Sequence, residues 1–169
     1  DLAIVFRIFF DKTDSGVSSI LVHNDLFTSW NIPLHELYST AIIGSRKLFP
    51  VNVCSMNKMV ERMTGVSFGD DLPDMIVITN NSYVNGAATI FYTDILEELS
   101  KQLQSDLIIL PSAIHEVIAL PTNAFVPFEF DEFKQFVLEV NQSEVAADER
   151  LSDHVYSYSK DEHEFKRVC

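Results

Sequence analysis

The sequence predicts an α+β fold, a mixed or antiparallel sheet that opens with an N-terminal hairpin and is packed by amphipathic helices. Three observations predict it. Two β-prone runs near the start flank a polar stretch ending in Gly; later segments repeat apolar residues at helical spacing; and strand-like and helix-like segments alternate with no linker or low-complexity tract. At 169 residues the chain is sized for one domain with its own core. Residues 1–158 are therefore read as a single α+β domain and 159–169 as a frayed tail.

Leu2 to Phe10 is rich in Val, Ile and Phe, Val17 to His23 is a second β-prone run, and Asp11 to Gly16 between them has hairpin-loop chemistry. Asn24 is placed to cap a short helix through Trp30. Pro33 sits where a first helical turn tolerates it, and Leu34, Leu37, Tyr38, Ala41 and Ile42 follow at helical spacing, with a stop by Pro50. Ser55 can cap a third helix that carries Met56, Met59, Val60 and Met63 on one face and stops at Gly65. A loop over 65–74 leads to a buried-type strand, Met75 to Thr79. After the turn-rich link of Asn80, Asn81, Asn85 and Gly86, a helical stretch runs from Ala87 to Gln104, with Asp94 and Glu97 spaced as a capping box. Leu107 to Leu110 and Val117 to Leu120, separated by Pro111 and Ser112, form a second hairpin. Phe128 to Val140 is amphipathic, with Phe133, Phe136, Val137 and Val140 inward and Glu132, Gln135 and Glu139 outward. Val155 to Tyr158 alternate as an edge strand.

Twelve basic and 25 acidic residues give a formal net charge of −13, which disfavours binding to nucleic-acid phosphates or anionic lipid. Residues 1–60 balance five acids against five bases, whereas 61–169 carry twenty acids and seven bases. A partner of this acidic second half would be a basic protein. The longest strongly apolar run, Leu2 to Phe10, is interrupted by Arg7 and falls far short of the roughly 20 residues that span a bilayer. It lacks a basic leader and a small-residue cleavage site, so it is read as a strand and no membrane partner is expected. The start at Asp1 is read as that of a processed or trimmed chain. Cys54 and Cys169 allow at most one bridge, and a reduced, cytoplasmic setting fits best.

The densest reactive group is Pro111-Ser112-Ala113-Ile114-His115-Glu116. An esterase reading makes Ser112 the nucleophile and His115 its base, since a serine hydroxyl needs an acceptor for its proton. The Gly-x-Ser-x-Gly elbow is missing, and turn or strand-end hydrogen bonding is the plainer role for both residues. His115 and Glu116 also suggest a zinc-peptidase helix, but position 119 is Ala, not a second His. His23, His35, His154 and His163 are scattered and the cysteines lack metal-type spacing, so no metal is expected. Asp70, Asp71 and Asp74 do not match a calcium loop and read as a solvated turn. The five glycines form no phosphate-binding loop. Phe125, Phe128, Phe130, Phe133 and Phe136 sit among acids rather than bases and read as core, not as a stacking surface for single strands.

The segments Val77-Ile78-Thr79-Asn80, Asn85-Gly86-Ala87-Ala88 with Tyr92, Leu110 through Ile118, Val140-Asn141 and Leu151 through Tyr158 carry a resemblance to the domain-of-unknown-function family 5688, a group of uncharacterised Firmicutes proteins. The first half resembles the same family less specifically. The family pattern carries Ser where this chain has Ala113, which weakens any serine pair. The resemblance implies an intracellular bacterial protein and supplies no catalytic residues. It makes Asn80, Asn85, Ser112, His115, Glu116, Asn141, Ser152 and Asp153 candidates for one binding surface, with capping and turn roles as the plainer alternative.

An apolar core, an acidic exterior and no assembled chemistry together favour a non-catalytic interaction or regulatory module, with no cofactor. Two alternatives stay open. One is an acidic inhibitor or immunity-type protein that docks on a basic partner through residues 129–139. The other is a small hydrolase using Ser112, His115 and Glu116.

Overall fold

The first strands of the computed structural model, β1 (Arg7–Thr13) and β2 (Gly16–Leu21), pair antiparallel as the hairpin expected at the N terminus. The structure describes residues 2–13, 16–65, 75–92, 94–124 and 129–169, the side chains of residues 12, 13, 62, 63 and 112 excepted. Pairing begins at Arg7 rather than Leu2, because β2 offers only six residues to pair with. Register passes from Phe9 opposite Ser19 to Asp11 opposite Ser18, so Phe10 is the extra residue of a β-bulge and lies exposed. Helix α1 (Asn24–Trp30) ends at Asn31, which takes the left-handed conformation that Asn tolerates better than most residues. Helix α2 (Leu34–Leu48) starts directly after Pro33 and carries Arg46 and Lys47 in its last turn, where they complement the negative end of the helix dipole. The Phe9 and Phe49 rings meet edge to face at 5.3 Å.

The backbone gathers into two compact units, residues 1–50 and 51–169. The sequence reading kept 1–158 as one domain, and the cooperative melting which that reading implies is a separate property from this division. None of the described residues in the first unit is buried; the core belongs to the second.

The second unit is built on six antiparallel strands in the order β3 (Val51–Ser55), β4 (Ile76–Asn80), β6 (Glu116–Pro121), β5 (Leu107–Ala113), β7 (Tyr156–Tyr158) and β8 (Phe165–Arg167). The sequence reading passed over β3, a five-residue strand fitted between a helix end and a helix cap. Ser55 closes β3 and caps α3 (Met56–Thr64), its hydroxyl accepting from the Lys58 amide at 3.3 Å. Gly65 stops α3 with φ 72°, as expected.

The single helical stretch expected over 87–104 is two pieces, a 3-10 helix (Gly86–Phe91) and α4 (Ile95–Leu103). Glu97 pairs with Lys101 one turn on, so the expected capping box with Asp94 does not form. Strand β5 runs on through Pro111 and Ser112 instead of ending before them, and its register to β6 slips between Leu110 and Ala113. A proline has no amide to donate, and the slip leaves Pro111 where the ladder asks for none.

Helix α5 (Phe130–Ser143) buries Val137 and turns Glu132, Gln135 and Glu139 outward as expected. Phe136 is a correction: it is 48% exposed. The expected roles of Phe125, Phe128, Asp70, Asp71 and Asp74 fall outside the described residues.

Along β4, β5 and β6 almost every position is apolar and buried. Val77, Ile108, Leu110, Ile118 and Leu120 point to one face, where they cluster with Val137 of α5 and with Val155. By strand alternation Ile78, Leu107, Ile109, Val117 and Ala119 point to the other, and they are also fully buried. The 3-10 helix packs on β4 and β6 there, and α4 packs on the 3-10 helix.

The tail is the second correction. Residues expected to fray instead place β8 beside β7, which makes β7 an interior strand rather than an edge. Tyr156 and Phe165 stack at 5.2 Å, the Val155 amide donates to the Cys169 carbonyl at 3.1 Å, and the Cys169 thiol donates to the Phe130 carbonyl at 3.4 Å. At three residues, β8 is too short to show a strand pattern in the sequence. Truncation after Ser159 removes these contacts, and the loss of one large aromatic contact together with its ladder is expected to cost about 2 kcal/mol or more. Chemical denaturation of the shortened chain measures it, and an unchanged midpoint would mean that the tail contributes nothing.

Candidate functional site

The β5–β6 turn at Ile114 and His115 is where three segments are tied together. Gly86 lies so close to it that a Cβ there would overlap Thr79 Oγ1 and the His115 carbonyl, so the approach requires glycine. Thr79 Oγ1 donates to the His115 carbonyl at 2.7 Å, and the Ala87 amide donates to the Ile114 carbonyl at 3.2 Å. Asn85, at φ 52°, donates its amide to His115 Nδ1 at 3.1 Å. A ring that accepts at Nδ1 carries its proton on Nε2, which faces Glu149 Oε1 at 3.3 Å. Ile114 closes the group by donating to the Glu149 carbonyl at 2.8 Å. Asn80 folds its side chain into an Asx turn, accepting from the Ser82 amide at 2.8 Å and donating to the Val84 carbonyl at 2.9 Å.

A second tie joins α5 to the segment that leads into β7. Asn141, 1% exposed, donates through Nδ2 to the Ser152 carbonyl at 2.9 Å and to Asp153 Oδ1 at 2.8 Å. Both amide hydrogens are thereby used, which sets the orientation of the side chain and leaves Oδ1 buried with no partner. Ser152 in turn accepts from the His154 amide at 3.1 Å.

Between these ties α3, α5 and one face of the sheet line a half-open cavity of about 350 Å³. Met56, Met59 and Val60 of α3 form one wall, and Phe136, Val137, Val140 and Asn141 of α5 the other. The floor is Met75 with Val77, Leu110 and Ile118, and Glu116 joins it because it lies two residues before Ile118 on the same face of β6. Among the described lining residues, Glu116 and Asn141 are the polar members. Partial burial pushes the Glu116 carboxyl above its ordinary range, with the neighbouring His115 acting against this and Glu149 adding to it.

A family model for DUF5688, described as a family of unknown function, matches residues 1–160. The chain belongs to the DUF5688 family. No curated protein and no solved structure matches it. The segments that carried the resemblance turn out to hold β4, the start of the 3-10 helix, the β5–β6 hairpin, the end of α5 and β7.

The structure distributes the candidate residues of this DUF5688 chain among two hydrogen-bonded ties and the cavity lining. Asn80, Asn85 and His115 belong to the first tie, and Asn141, Ser152 and Asp153 to the second; Glu116 and Asn141 meet the cavity. Ser112 lies in the irregular part of β5, and its side chain is outside the described atoms. Glu149, Met75 and the exposure of Phe136 were missed. Glu149 is 34 residues from its histidine, and no local spacing reveals such a pair. The methionines did have a signal, since Met56 and Met59 share a helix face, but spacing alone does not separate a packed face from a cavity wall. Among the described residues no three His, Cys, Asp or Glu side chains group as a metal site, and no helix is long and apolar enough to cross a membrane.

Glu116 carries a pH dependence of definite sign. Its folded carboxyl is held above the unfolded value, so relative stability is present below the unfolded pKa, near 4.5, and is lost as pH rises through the folded one. Glu116→Gln removes that loss. The variant is expected to melt higher than the native chain at pH 7, with the difference shrinking as pH falls toward 4.5 and absent below it. Melting curves across this range check it, and a variant that melts lower at pH 7 would mean that the ionised carboxylate is well satisfied.

Proposed function

We propose that the protein is a non-catalytic interaction module that holds the apolar part of a small ligand between α3 and α5. The observation that carries this reading is the cavity, whose volume of about 350 Å³ falls within the range of small-molecule sites. Its methionines suit an adaptable wall, because an unbranched thioether reshapes at little cost. The hydrolase alternative has less support. His115 spends Nδ1 on a backbone amide and faces Glu149 with Nε2, so neither nitrogen is placed as the base of a Ser112 nucleophile. Cys54 and Cys169 are not joined in a disulfide, which suits a reducing, cytoplasmic setting.

A neutral aromatic probe tests the binding reading. Indole is expected to shift the methyl resonances of Met56, Met59 and Met75 in methionine-labelled protein and to raise the melting temperature. Val140→Trp, which fills the space, is expected to abolish both effects. Methyl signals unmoved by millimolar indole would exclude the cavity as a binding site.

The outer face of α5 favours a second reading, docking on a basic partner. Phe136, at the cavity rim, borders this face with 48% of its surface exposed, one turn after Glu132 and one turn before Glu139, and both acids are solvent-facing. An apolar anchor ringed by acids suits a cationic amphipathic segment. A Lys-rich amphipathic peptide is expected to associate more slowly as salt rises, and several-fold more slowly with Glu132→Lys/Glu139→Lys. The melting temperature should barely change, since exposed charges contribute little to stability. Binding indifferent to salt and to both reversals would end this reading.

A further inference from the structure

We propose that the cavity between α3 and α5 recognises a primary amine on an aromatic body, with Glu116 receiving the amine; this rests on the binding reading above and specifies its ligand. Among the described lining residues the charged group is Glu116, and an ionised carboxylate only accepts. Asn141 has committed both Nδ2 hydrogens to Ser152 and Asp153, so it offers the cavity no donor. A half-buried carboxylate between apolar walls calls for a ligand group that is all donor, and an ammonium supplies three N–H bonds with the charge that offsets it. A carboxylate or phosphate would instead meet Glu116 as a like charge. The net charge of −13 draws cations toward the protein as a whole and repels such anions.

The body of the ligand follows from the walls. Met56, Met59 and Met75 present thioethers, which pack favourably against ring edges, and Phe136 offers a ring that is only half covered by its own chain. A ring on a short alkyl linker fits the volume and leaves the amine to reach Glu116.

Three ligands of one shape separate the possibilities: 2-phenylethylamine, 2-phenylethanol and 3-phenylpropionate, each titrated at pH 7 into full-length protein with labelled methionine methyls. The amine is expected to bind at least about tenfold more tightly than the alcohol, and the carboxylate more weakly than either, with Met56, Met59 and Met75 reporting. Glu116→Gln should bring the amine down to the affinity of the alcohol while leaving the alcohol unchanged. Because the group is partly buried, the preference should persist in 0.5 M NaCl. If all three ligands shift the methyls with equal affinity, the amine inference fails and the binding reading stands. If the amine binds without moving those methyls, it is pairing with surface acids, and the inference fails again. If none of the three binds, the binding reading itself is overturned.

Discussion

The strands β4, β6 and β5 are apolar on both sides, and this requirement governs the second unit. A large apolar side chain left in water forgoes roughly 1.5–3 kcal/mol, and here both alternating sets need cover. One set is closed by the 3-10 helix and, through it, α4. The other is covered by α5, with α3 entering at the side of β3. Between these two helices the methionines and Phe136 line a space instead of filling it. The cavity is thus a product of how the sheet is covered, and Glu116 enters it because the apolar run of β6 begins only at Val117.

Polar side chains hold the covers in place, and several of the family's polar motif residues take part in these bonds. Burying a loop against a strand turn strands its amides and carbonyls unless partners are supplied. Thr79, Asn85 and His115 supply them at the β5–β6 turn, and Asn141 does so where α5 meets the approach to β7. A histidine with both nitrogens in such bonds is fixed in tautomer and orientation. These properties serve a catalytic base as well, so sequence alone does not distinguish the two roles; the identity of the partners does.

Elements that announce themselves locally were legible. The N-terminal hairpin, the Ser55 cap and Gly65 stop of α3, and the outward acids of α5 all follow from neighbouring residues, and they are where spacing puts them. What needed distant partners was not legible. Strand β8 is three residues long and exists because β7 lies beside it. Phe136 has the spacing of a core residue but stands at the cavity, since whether a helix position is covered depends on what faces it. The Glu149 partner of His115 and the cavity itself share this dependence on tertiary placement. The pattern of strand-like and helix-like segments carried the class of fold, but the division of the candidate residues into two ties and one cavity could come only from the packed chain.

The same carboxylate that weakens the fold gives the cavity a reason to bind. An ionised Glu116 is partly removed from water at neutral pH, and this desolvation acts against the folded state. A cation seated beside it reverses the sign of that contribution, because the charge that lacked compensation now has it. Stability and binding are then linked through one group: the ligand raises stability as its concentration exceeds its dissociation constant, and by reciprocity it lowers the Glu116 pKa as it binds. Protonation works in the opposite sense. Below the folded pKa the carboxyl is neutral, the penalty on the empty protein disappears, and with it the advantage of a cationic ligand over a neutral one of the same shape. A half-buried acid in an apolar lining therefore makes the cavity selective for charge only at pH values where it costs the unliganded fold stability.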